Sequence, residues 1–495
     1  MQTKLFAKDV LTVLVLLIAL IPMFFIPFQD TSEPRYAEMA RIMYSTGDWV
    51  TPWFAPGEPF WGKPPLSYWV QAIGMHIFGV NEFAARFPAW LAMCLSLLAL
   101  RISVARVYGS SVAQWSVLIY SSMVLSAINT GAVLTDPYLA LGTTLIFSSF
   151  LVCMQPSEES QSIRLWAYLG FVGLVIGLLA KGPLTLVLVG VPIAVYLAWH
   201  KMRWQQFFKA YPWRNGLILT ALLVLPWYIM AEIKTPGFLR YFIWGEHVLR
   251  FIEPGWKGDL YGTAHLRPHG IIWLYALAAV LPWWPLVVFL MLKRVIDDRF
   301  KEQVAVLKVM PLKSFVLAFS LVCAAFFTFS SNILWTYLLP SLAAMAVLFA
   351  YIIDMKLKSH AWLQKASYLA LLFPLLTLFM VVVGTVEPNI WLSEKGIVLY
   401  AQQEAPNMDL YYYEDRPFSA RFYSQERVKL LKKGQLNSEL RPVAPYLLAV
   451  KKSAVPGFEL PRHLVLEKVF DSKRYQLFKV VPITSTLKND KQMVD

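Results

Sequence analysis

The chain has 495 residues, of which 57% are hydrophobic and 15% charged, and its mean hydropathy is +0.52. A soluble protein of this length needs more polar surface, and the apolar runs are long and continuous, so the composition excludes a soluble globular class and favours a helical membrane protein. The formal net charge of +14 is typical of a membrane protein with basic cytoplasmic loops, and without a basic-aromatic module it does not indicate nucleic-acid binding.

Continuous apolar runs predict the membrane spans, because about 20 apolar residues cross a bilayer as a helix. The run from Val10 to Phe28 follows Lys4 and Lys8 and has no small-residue cleavage site after it, so we expect an uncleaved first span with the N-terminus inside. Nearly absent loops around 130–136 and 180–182 allow up to thirteen spans in all. We predict these eleven: 10–28, 87–105, 112–130, 134–154, 165–180, 182–199, 214–232, 271–292, 314–331, 333–353 and 366–387.

Lysine and arginine collect in cytoplasmic loops, so their positions predict the orientation of the spans. The basic loops, assigned to the inside, are 200–213, 293–313 and 354–365. The segments assigned to the outside are 29–86, 233–270 and everything after residue 387. The outer loop 233–270 is itself basic, and an active site on the outer face would explain its cations. The acidic pair Asp297 and Asp298 in an inside loop is interpreted as a solvated surface.

These spans define a membrane domain, residues 1–387, followed by a small mixed α/β extracytoplasmic domain, residues 388–495. In the tail, short β-rich stretches at Leu410–Tyr413 and Tyr446–Val450 alternate with polar segments.

The outer segment 29–86 is expected to form two helices. Ser32 can cap the first and Gly47 can end it. The second is expected to begin at Pro64-Pro65. Each helix has an apolar stripe at helical spacing, so we expect both to lie in the membrane interface. The stripe of the first is Tyr36, Met39, Ala40 and Met43, and that of the second is Leu66, Trp69, Val70, Ile73 and Ile77.

Polar residues outside the basic loops gather at the predicted outer face. They are Asp30, Glu33, Arg35, Lys63, Asp136, Lys181, Glu246, His247, Arg250, His265, His269 and Tyr337. A transporter places such groups near the membrane midplane. A one-sided cluster instead indicates a catalytic chamber that opens to the outside.

A synthetic enzyme at the outer face needs an energised donor, and the sequence has no P-loop or glycine-rich nucleotide turn. A polyprenyl-phosphate sugar meets that need. Departure of a lipid phosphate builds negative charge, for which Lys63, Arg35 and Arg250 are the candidate cations. An acceptor hydroxyl also needs a base, and Asp30 or Glu33 can serve.

Each candidate also has a structural interpretation. Asp30 and Glu33 can stabilise a helix N-terminus, and Lys63 can extend to the lipid headgroups. The remaining structural interpretations are a buried Asp136–Lys181 ion pair, an interface histidine at His265 and an aromatic-belt role for Tyr337.

A set of motifs along the membrane part resembles one known family. The motifs are Ser32-Glu33-Pro34-Arg35-Tyr36-Ala37, Gly47-Asp48-Trp49, Lys63-Pro64-Pro65, Tyr68-Trp69, Lys181-Gly182-Pro183, His265-x-x-Pro268 and Thr336-Tyr337-Leu338-Leu339-Pro340. In this order they resemble the lipid A aminoarabinose transferases and their relatives among the protein O-mannosyltransferases.

The resemblance implies a GT-C fold, an undecaprenyl-phosphate sugar donor, inversion at the sugar carbon and a periplasmic C-terminal domain. It implies that Lys63 contacts the carrier phosphate and that Tyr337 lines the donor site, and it matches His265 to a histidine that helps to hold a metal. We add Tyr36, Asp136 and Lys181 as candidate substrate-binding residues.

The sequence departs from the family at two positions. The family has Asp-Glu where this chain has Ser32-Glu33, so either Asp30 substitutes or Glu33 acts alone. The second metal ligand of the family is a glutamate, and here that position is Gly62. Both changes leave open a related branch with another sugar or acceptor.

The sequence therefore predicts a glycosyltransferase of the bacterial inner membrane with a periplasmic active site. Its predicted partners are a polyprenyl-phosphate sugar, a lipid A or related envelope acceptor and membrane lipids, and it is expected to be a monomer. The one cofactor considered is a divalent metal. The alternatives are protein O-glycosylation and a non-enzymatic lipid or sugar transporter.

Overall fold

The structure is a computed structural model that describes residues 2–155, 160–262, 265–296, 310–357, 361–435, 445–458 and 464–482. The chain forms two compact units. The first comprises Met1–Phe24 and Ile42–Phe379, and the second comprises Phe25–Arg41 and Met380–Asp495. The sequence instead predicts the domain boundary at residue 387, with all of 29–86 in the membrane domain. Asp297 and Asp298 lie outside the described residues.

The first unit is built from long apolar helices. Seven helices in the described part of the chain are long and apolar enough to cross a membrane: Ala7–Phe25, Glu82–Tyr108, Asp136–Cys153, Ser162–Lys181, Trp213–Lys234, Trp335–Met355 and Gln364–Val386. A bent pair, Ile271–Ala279 and Trp283–Leu292, turns by 94° at its break and would make an eighth span. The chain is therefore a multi-pass membrane protein.

The other predicted spans are shorter or interrupted. Leu184–Trp199 and Lys313–Phe327 are apolar helices of 16 and 15 residues. The predicted span 112–130 is two helices, Ser110–Ser122 and Val124–Asn129, separated at Met123. Ten of the eleven predicted spans thus coincide with apolar helices, the exception being 112–130, and by length and composition seven or eight of the described helices could cross a membrane.

Helices Asp136–Cys153 and Ser160–Lys181 pack closely because glycines face each other. A Cβ at Gly142 would lie 2.6 Å from the Gly173 carbonyl oxygen and 2.9 Å from the Gly177 backbone nitrogen. Small residues at such crossings let helix backbones approach each other, which favours association of apolar helices in lipid.

The two predicted outer helices are Ser32–Thr46 and Leu66–Phe78. The first ends at Gly47, whose φ of 68° is in the left-handed region that favours glycine. The second turns its buried face inward with Ser67, Tyr68 and Gln71, whereas Ile73 and Ile77 of the predicted stripe are exposed. An outward apolar stripe is the arrangement expected of a helix that faces lipid.

Short elements complete the first unit. The strands β1 (Trp53–Ala55) and β2 (Glu58–Pro59) form an antiparallel hairpin between the two outer helices. The π-helix is Arg240–Leu249. The remaining short helices and turns are Ile21–Phe25, Lys201–Arg203, Trp204–Ala210, Arg250–Ile252, Trp335–Leu338 and Ala361–Leu371.

The second unit contains a five-stranded mixed sheet. Its strands are β3 (Leu410–Tyr413), β4 (Lys429–Leu431), β5 (Tyr446–Lys451), β6 (Leu464–Asp471) and β7 (Tyr475–Pro482). Their order is β4-β3-β5-β7-β6, with β3 parallel to β4 and β5, and β7 antiparallel to β5 and β6. The helices of the tail are Lys395–Glu404 and Phe418–Ser424, with single turns at Pro388–Ile390, Lys433–Gln435 and Val455–Gly457. The predicted strand Leu410–Tyr413 is confirmed, and the predicted Tyr446–Val450 extends by one residue.

Candidate active site

The π-helix Arg240–Leu249 arranges the charged residues of the second outer loop. Its wide turn places residue i+5 above residue i, so Tyr241 lies over Glu246, and Arg250 follows one further turn on. Asn332 fixes the end of this segment, because its side-chain Nδ2 donates a hydrogen bond of 2.6 Å to the Arg250 carbonyl oxygen.

Glu246 is the centre of an ion cluster. Its Oε2 accepts a hydrogen bond from Lys63 Nζ at 3.0 Å, and Arg250 Nη1 lies 3.0 Å from both carboxylate oxygens. The Tyr241 hydroxyl donates to Oε1 at 3.3 Å. Burial alone would raise the pKa of Glu246, but Lys63 and Arg250 outweigh it, and the pKa lies below its usual value. Glu246 is therefore an ionised carboxylate at neutral pH.

The two cations are more accessible than the carboxylates that hold them. The side chains of Lys63 and Arg250 are 22% and 19% exposed, whereas those of Glu246 and Asp259 are 4% and 7% exposed. Asp259 Oδ2 lies 3.5 Å from Arg250 Nη1. Burial opposes the charge of Arg250, but Glu246 and Tyr337 raise its pKa above the usual value. The cluster thus presents two cationic donors that contact buried carboxylates.

Lys63 is placed by the hairpin that precedes it. The Tyr261 hydroxyl donates to the Pro59 carbonyl oxygen at 2.7 Å and accepts from the Trp61 amide at 3.0 Å. These bonds tie the chain on either side of Phe60 to the second outer loop, so Lys63 reaches Glu246 across 183 residues of sequence.

A second ion pair joins two membrane helices at their ends. Lys181 Nζ lies 2.6 Å from Asp136 Oδ1, and both side chains are buried. The same ammonium lies 5.0 Å from the centre of the Tyr337 ring, a cation–π distance. The structure brings these three predicted residues together. His247 links them to the π-helix, because its Nε2 lies 3.0 Å from the Lys181 carbonyl oxygen.

Asp30 lies in the second unit and is fully engaged there. Its Oδ1 accepts from the Ser419 amide at 2.9 Å, and its Oδ2 accepts from the Ser419 hydroxyl and pairs with Arg474. The carboxylate is 1% exposed. Since Asp30 is buried and both of its oxygens are held by protein donors, a substrate has little access to this carboxylate.

Glu33, Arg35 and Tyr36 occupy the first turns of the helix Ser32–Thr46. Glu33 is partly exposed, and Tyr36 is buried as its place in the apolar stripe predicts. The Arg35 guanidinium lies 5.3 Å from the Tyr36 ring and 6.0 Å from the Phe418 ring within the second unit. Of the predicted acid–base candidates, Glu33 is therefore the accessible one.

The residues at the expected metal position do not fit a metal. A Cβ at Gly62 would lie 2.7 Å from Cζ of the buried Phe60 ring, so the backbone here is closed to a glutamate side chain. His265 is exposed, and its carbonyl oxygen accepts from the Ile333 amide at 3.2 Å. Within the described ranges no group of three or more His, Cys, Asp or Glu residues could hold a metal ion. We derive no chemical step through a metal.

Sequence reasoning named Glu246 among the polar residues of the outer face but gave it no role, and it did not single out Tyr241 or Asp259. The spacing of Tyr241, Glu246 and Arg250 in the sequence indicates that these side chains share one face. Residues five apart align on a π-helix, residues four apart align on an α-helix, and here a π-helix is followed directly by an α-helix. Asp259 lies beyond the end of these helices, and only the tertiary fold brings it to Arg250.

Comparison with known proteins gives matches along most of the chain. Residues 15–242 match the family described as dolichyl-phosphate-mannose-protein mannosyltransferase. The undecaprenyl phosphate-alpha-4-amino-4-deoxy-L-arabinose arabinosyl transferase of Erwinia tasmaniensis is 28% identical over 95% of this chain and 78% of its own length. The enzyme of the same name from Edwardsiella ictaluri is 31% identical over 64% of this chain, which spans only 54% of that relative.

One group of solved structures has the same fold. The crystal structure of ArnT from Cupriavidus metallidurans bound to undecaprenyl phosphate aligns with a TM-score of 0.75 at 16% identity, over 97% of this chain and 98% of that one. Its apo form aligns with a TM-score of 0.73. The predicted resemblance is confirmed: the chain is a multi-pass membrane protein of the GT-C fold, and over 95% of its length it is similar to an aminoarabinose arabinosyl transferase.

Proposed function

We propose that this chain is a glycosyltransferase that moves 4-amino-4-deoxy-L-arabinose, or a closely similar sugar, from undecaprenyl phosphate to lipid A. The observation that carries the proposal is the pair of partly exposed cations, Lys63 and Arg250, held on one buried carboxylate. Fixed cations with free faces suit a lipid-linked phosphate. The activity for which the aligned relatives are named supports this donor.

The transfer reaction explains why two cations are needed. The bond between the anomeric carbon and the phosphate oxygen breaks, and its electron pair stays on the phosphate. The acceptor oxygen forms the new bond from the opposite face of the sugar, so the configuration inverts. Negative charge grows on the leaving phosphate, and Lys63 and Arg250 stabilise it without rearranging, because Glu246 already holds them in place.

The Asp136–Lys181 pair with Tyr337 is the proposed sugar-binding side of the donor site. Lys181 fixes Asp136 Oδ1 at 2.6 Å and leaves Oδ2 to accept hydrogen bonds from hydroxyl or amino groups. His247 follows Glu246 on the π-helix and its Nε2 lies 3.0 Å from the Lys181 carbonyl oxygen, which supports a single donor site formed by both ion pairs.

Glu33 is the proposed carboxylate for the acceptor. It is partly exposed in the first turn of its helix, whereas Asp30 is engaged by Ser419 and Arg474. If the acceptor is a hydroxyl, Glu33 takes its proton as the new bond forms. If the acceptor is a phosphate oxygen, no proton has to be removed.

The proposed location is the bacterial inner membrane, with the donor site on the periplasmic side and the chain acting as a monomer. The basic loop around Lys201, Arg203 and Lys209 supports a cytoplasmic position for that end of the helices. The cations of the outer loop have a role of their own, since Arg250 holds Glu246 and Lys234 pairs with Asp48 at 2.6 Å. Reporter fusions within 29–86 and 200–213 test this orientation.

Protein O-glycosylation is the second candidate function, favoured by the match of residues 15–242 to the protein mannosyltransferase family. The purified full-length protein, reconstituted with undecaprenyl phosphate aminoarabinose, separates the two. We expect mass spectrometry to show the added sugar on lipid A and not on envelope proteins. Sugar on protein alone would establish the second candidate, and no product on either acceptor would contradict a transferase.

A further inference from the structure

The charges of the Lys63–Arg250 site cancel. Lys63 and Arg250 carry two positive charges, and Glu246 and Asp259, which contact them, carry two negative ones. Among the described residues, Tyr241, Tyr261, Tyr337 and His247 are further titratable side chains that interact with Glu246. A tyrosine hydroxyl carries no charge at neutral pH, and burial lowers the pKa of His247, so none of the four adds a charge there. A site that only had to hold an anion would not need a buried carboxylate between its cations.

Glu246 does not occupy all the donors of these cations. Lys63 uses two contacts, with Glu246 and with the Gly62 carbonyl oxygen, and an ammonium has three N–H groups. The side chains of Lys63 and Arg250 are 22% and 19% exposed, so part of each cation remains accessible beside Glu246. A phosphate can therefore bind the two cations while Glu246 keeps its place, and its oxygens would then lie close to the carboxylate.

The proposed reaction changes the charge of the phosphate in this site. In the donor the phosphate is esterified to both lipid and sugar, so it has one ionisable oxygen and a single negative charge. After transfer the phosphate is a monoester whose second ionisation lies near pH 6, so its charge at pH 7 is about −1.5 to −2. The repulsion from Glu246 is therefore greater for the product than for the donor.

We propose that Glu246 is a positioning residue that also sets the charge preference of the donor site, so that the singly charged phosphodiester is retained and the doubly charged lipid phosphate is released. The inference rests on the proposed transferase function. It gives the buried carboxylate a role in turnover: it holds Lys63 and Arg250 for the leaving phosphate and then weakens the binding of the product.

Binding of undecaprenyl phosphate to the purified full-length protein tests this, with Glu246→Gln compared to the native chain. The amide keeps the size and an acceptor oxygen but removes the charge. We expect Glu246→Gln to bind undecaprenyl phosphate about tenfold or more tightly at about pH 8, and the gain to shrink at about pH 5, where the ligand is singly charged. His247 interacts with Glu246, so its titration differs between the two proteins, and the pH effect is therefore read as the difference between undecaprenyl phosphate and the sugar-loaded donor at each pH.

The sugar-loaded donor is the matched ligand, because its charge does not change over this range. Its gain in affinity is expected to be smaller and independent of pH. In turnover, Glu246→Gln should be inhibited by added undecaprenyl phosphate more strongly than the native protein. Glu246→Asp, which retains the charge, should behave like the native protein in its pH dependence.

Two results would overturn the inference. If Glu246→Gln weakens both ligands at both pH values, Glu246 only holds the cations in place. If donor and product gain affinity equally, the site does not distinguish their charges. Absence of undecaprenyl phosphate binding to the native protein would instead overturn the proposed function, and this inference with it.

Discussion

The buried Asp136–Lys181 pair allows a quantitative test of the membrane unit. Removing one partner of a buried ion pair leaves an uncompensated charge and costs about 3–5 kcal/mol. Lys181→Met leaves Asp136 in the first turn of its helix, where the helix dipole recovers up to ~2 kcal/mol. We therefore expect Lys181→Met to lower the free energy of unfolding by roughly 2–4 kcal/mol.

Asp136→Asn and the double variant with Lys181→Met complete a double-mutant cycle. Asp136→Asn leaves the Lys181 ammonium 5.0 Å from the Tyr337 ring, which recovers about 0.5–2 kcal/mol, so its expected cost is also roughly 2–4 kcal/mol. The double variant leaves no unpaired charge and should lose much less than the sum of the two single changes.

The cycle is measured as reversible unfolding in mixed micelles of increasing SDS content, followed by tryptophan fluorescence. Lys234→Met is the matched control, because Lys234 pairs with Asp48 at the same 2.6 Å but its side chain is 44% exposed. An exposed pair should cost less than about 1 kcal/mol. Equal losses for Lys181→Met and Lys234→Met, or additive losses in the double variant, would refute the reasoning.

Three further predictions concern single positions. The pKa of Glu246 lies below its usual 4.5, so the stability that the ionised carboxylate contributes is present above pH 4.5 and is lost as the pH falls through the lower value. Glu246→Gln should therefore reduce the fall in melting temperature at acid pH, measured in a pH series. An unchanged fall would contradict this prediction. Asp30→Asn should destabilise the second unit by about 1–3 kcal/mol, measured by limited proteolysis across a denaturant series. If this variant instead kept its stability and lost sugar transfer, Asp30 would be catalytic. Gly142→Ala places a Cβ 2.6 Å from the Gly173 carbonyl oxygen and should lower the free energy of unfolding in SDS by about 1–3 kcal/mol. Gly190→Ala is the control: its Cβ would meet nothing within 4 Å, so the variant should be as stable as the native chain or more stable. Equal effects of the two substitutions would exclude close packing as the cause.

The positions of the apolar helices follow from the sequence, because the length of a hydrophobic run is sufficient to predict a span. Whether each apolar run forms one continuous helix does not follow from the sequence. The break at Met123 and the 94° bend between Ala279 and Trp283 interrupt runs that are apolar throughout. Such breaks depend on tertiary packing and local backbone geometry, which hydropathy does not record.

The candidate site shows the same division. Lys63, Arg250, Asp136, Lys181 and Tyr337 were found from the sequence, because charged or polar groups at the ends of membrane helices are costly and need a partner. The Asp136–Lys181 pair also follows from the sequence, whereas the partners of Lys63 and Arg250 do not.

Glu246 acquires its role by contacts with Lys63 across 183 residues of sequence, and Asp30 loses its expected role by contacts with Ser419 and Arg474, which lie 389 and 444 residues away. Sequence patterns of one helix cannot supply contacts at such separations.

The most direct test of the account is donor binding and sugar transfer by Lys63→Ala in the purified full-length protein. Lys63 supplies a charge-assisted contact worth about 1.5–3 kcal/mol, so we expect undecaprenyl phosphate aminoarabinose to bind roughly 10- to 150-fold more weakly and transfer to lipid A to fall at least as far. Lys234→Ala, which removes an exposed lysine of the same outer region, should leave both unchanged. Native donor affinity and native transfer in Lys63→Ala would contradict the account.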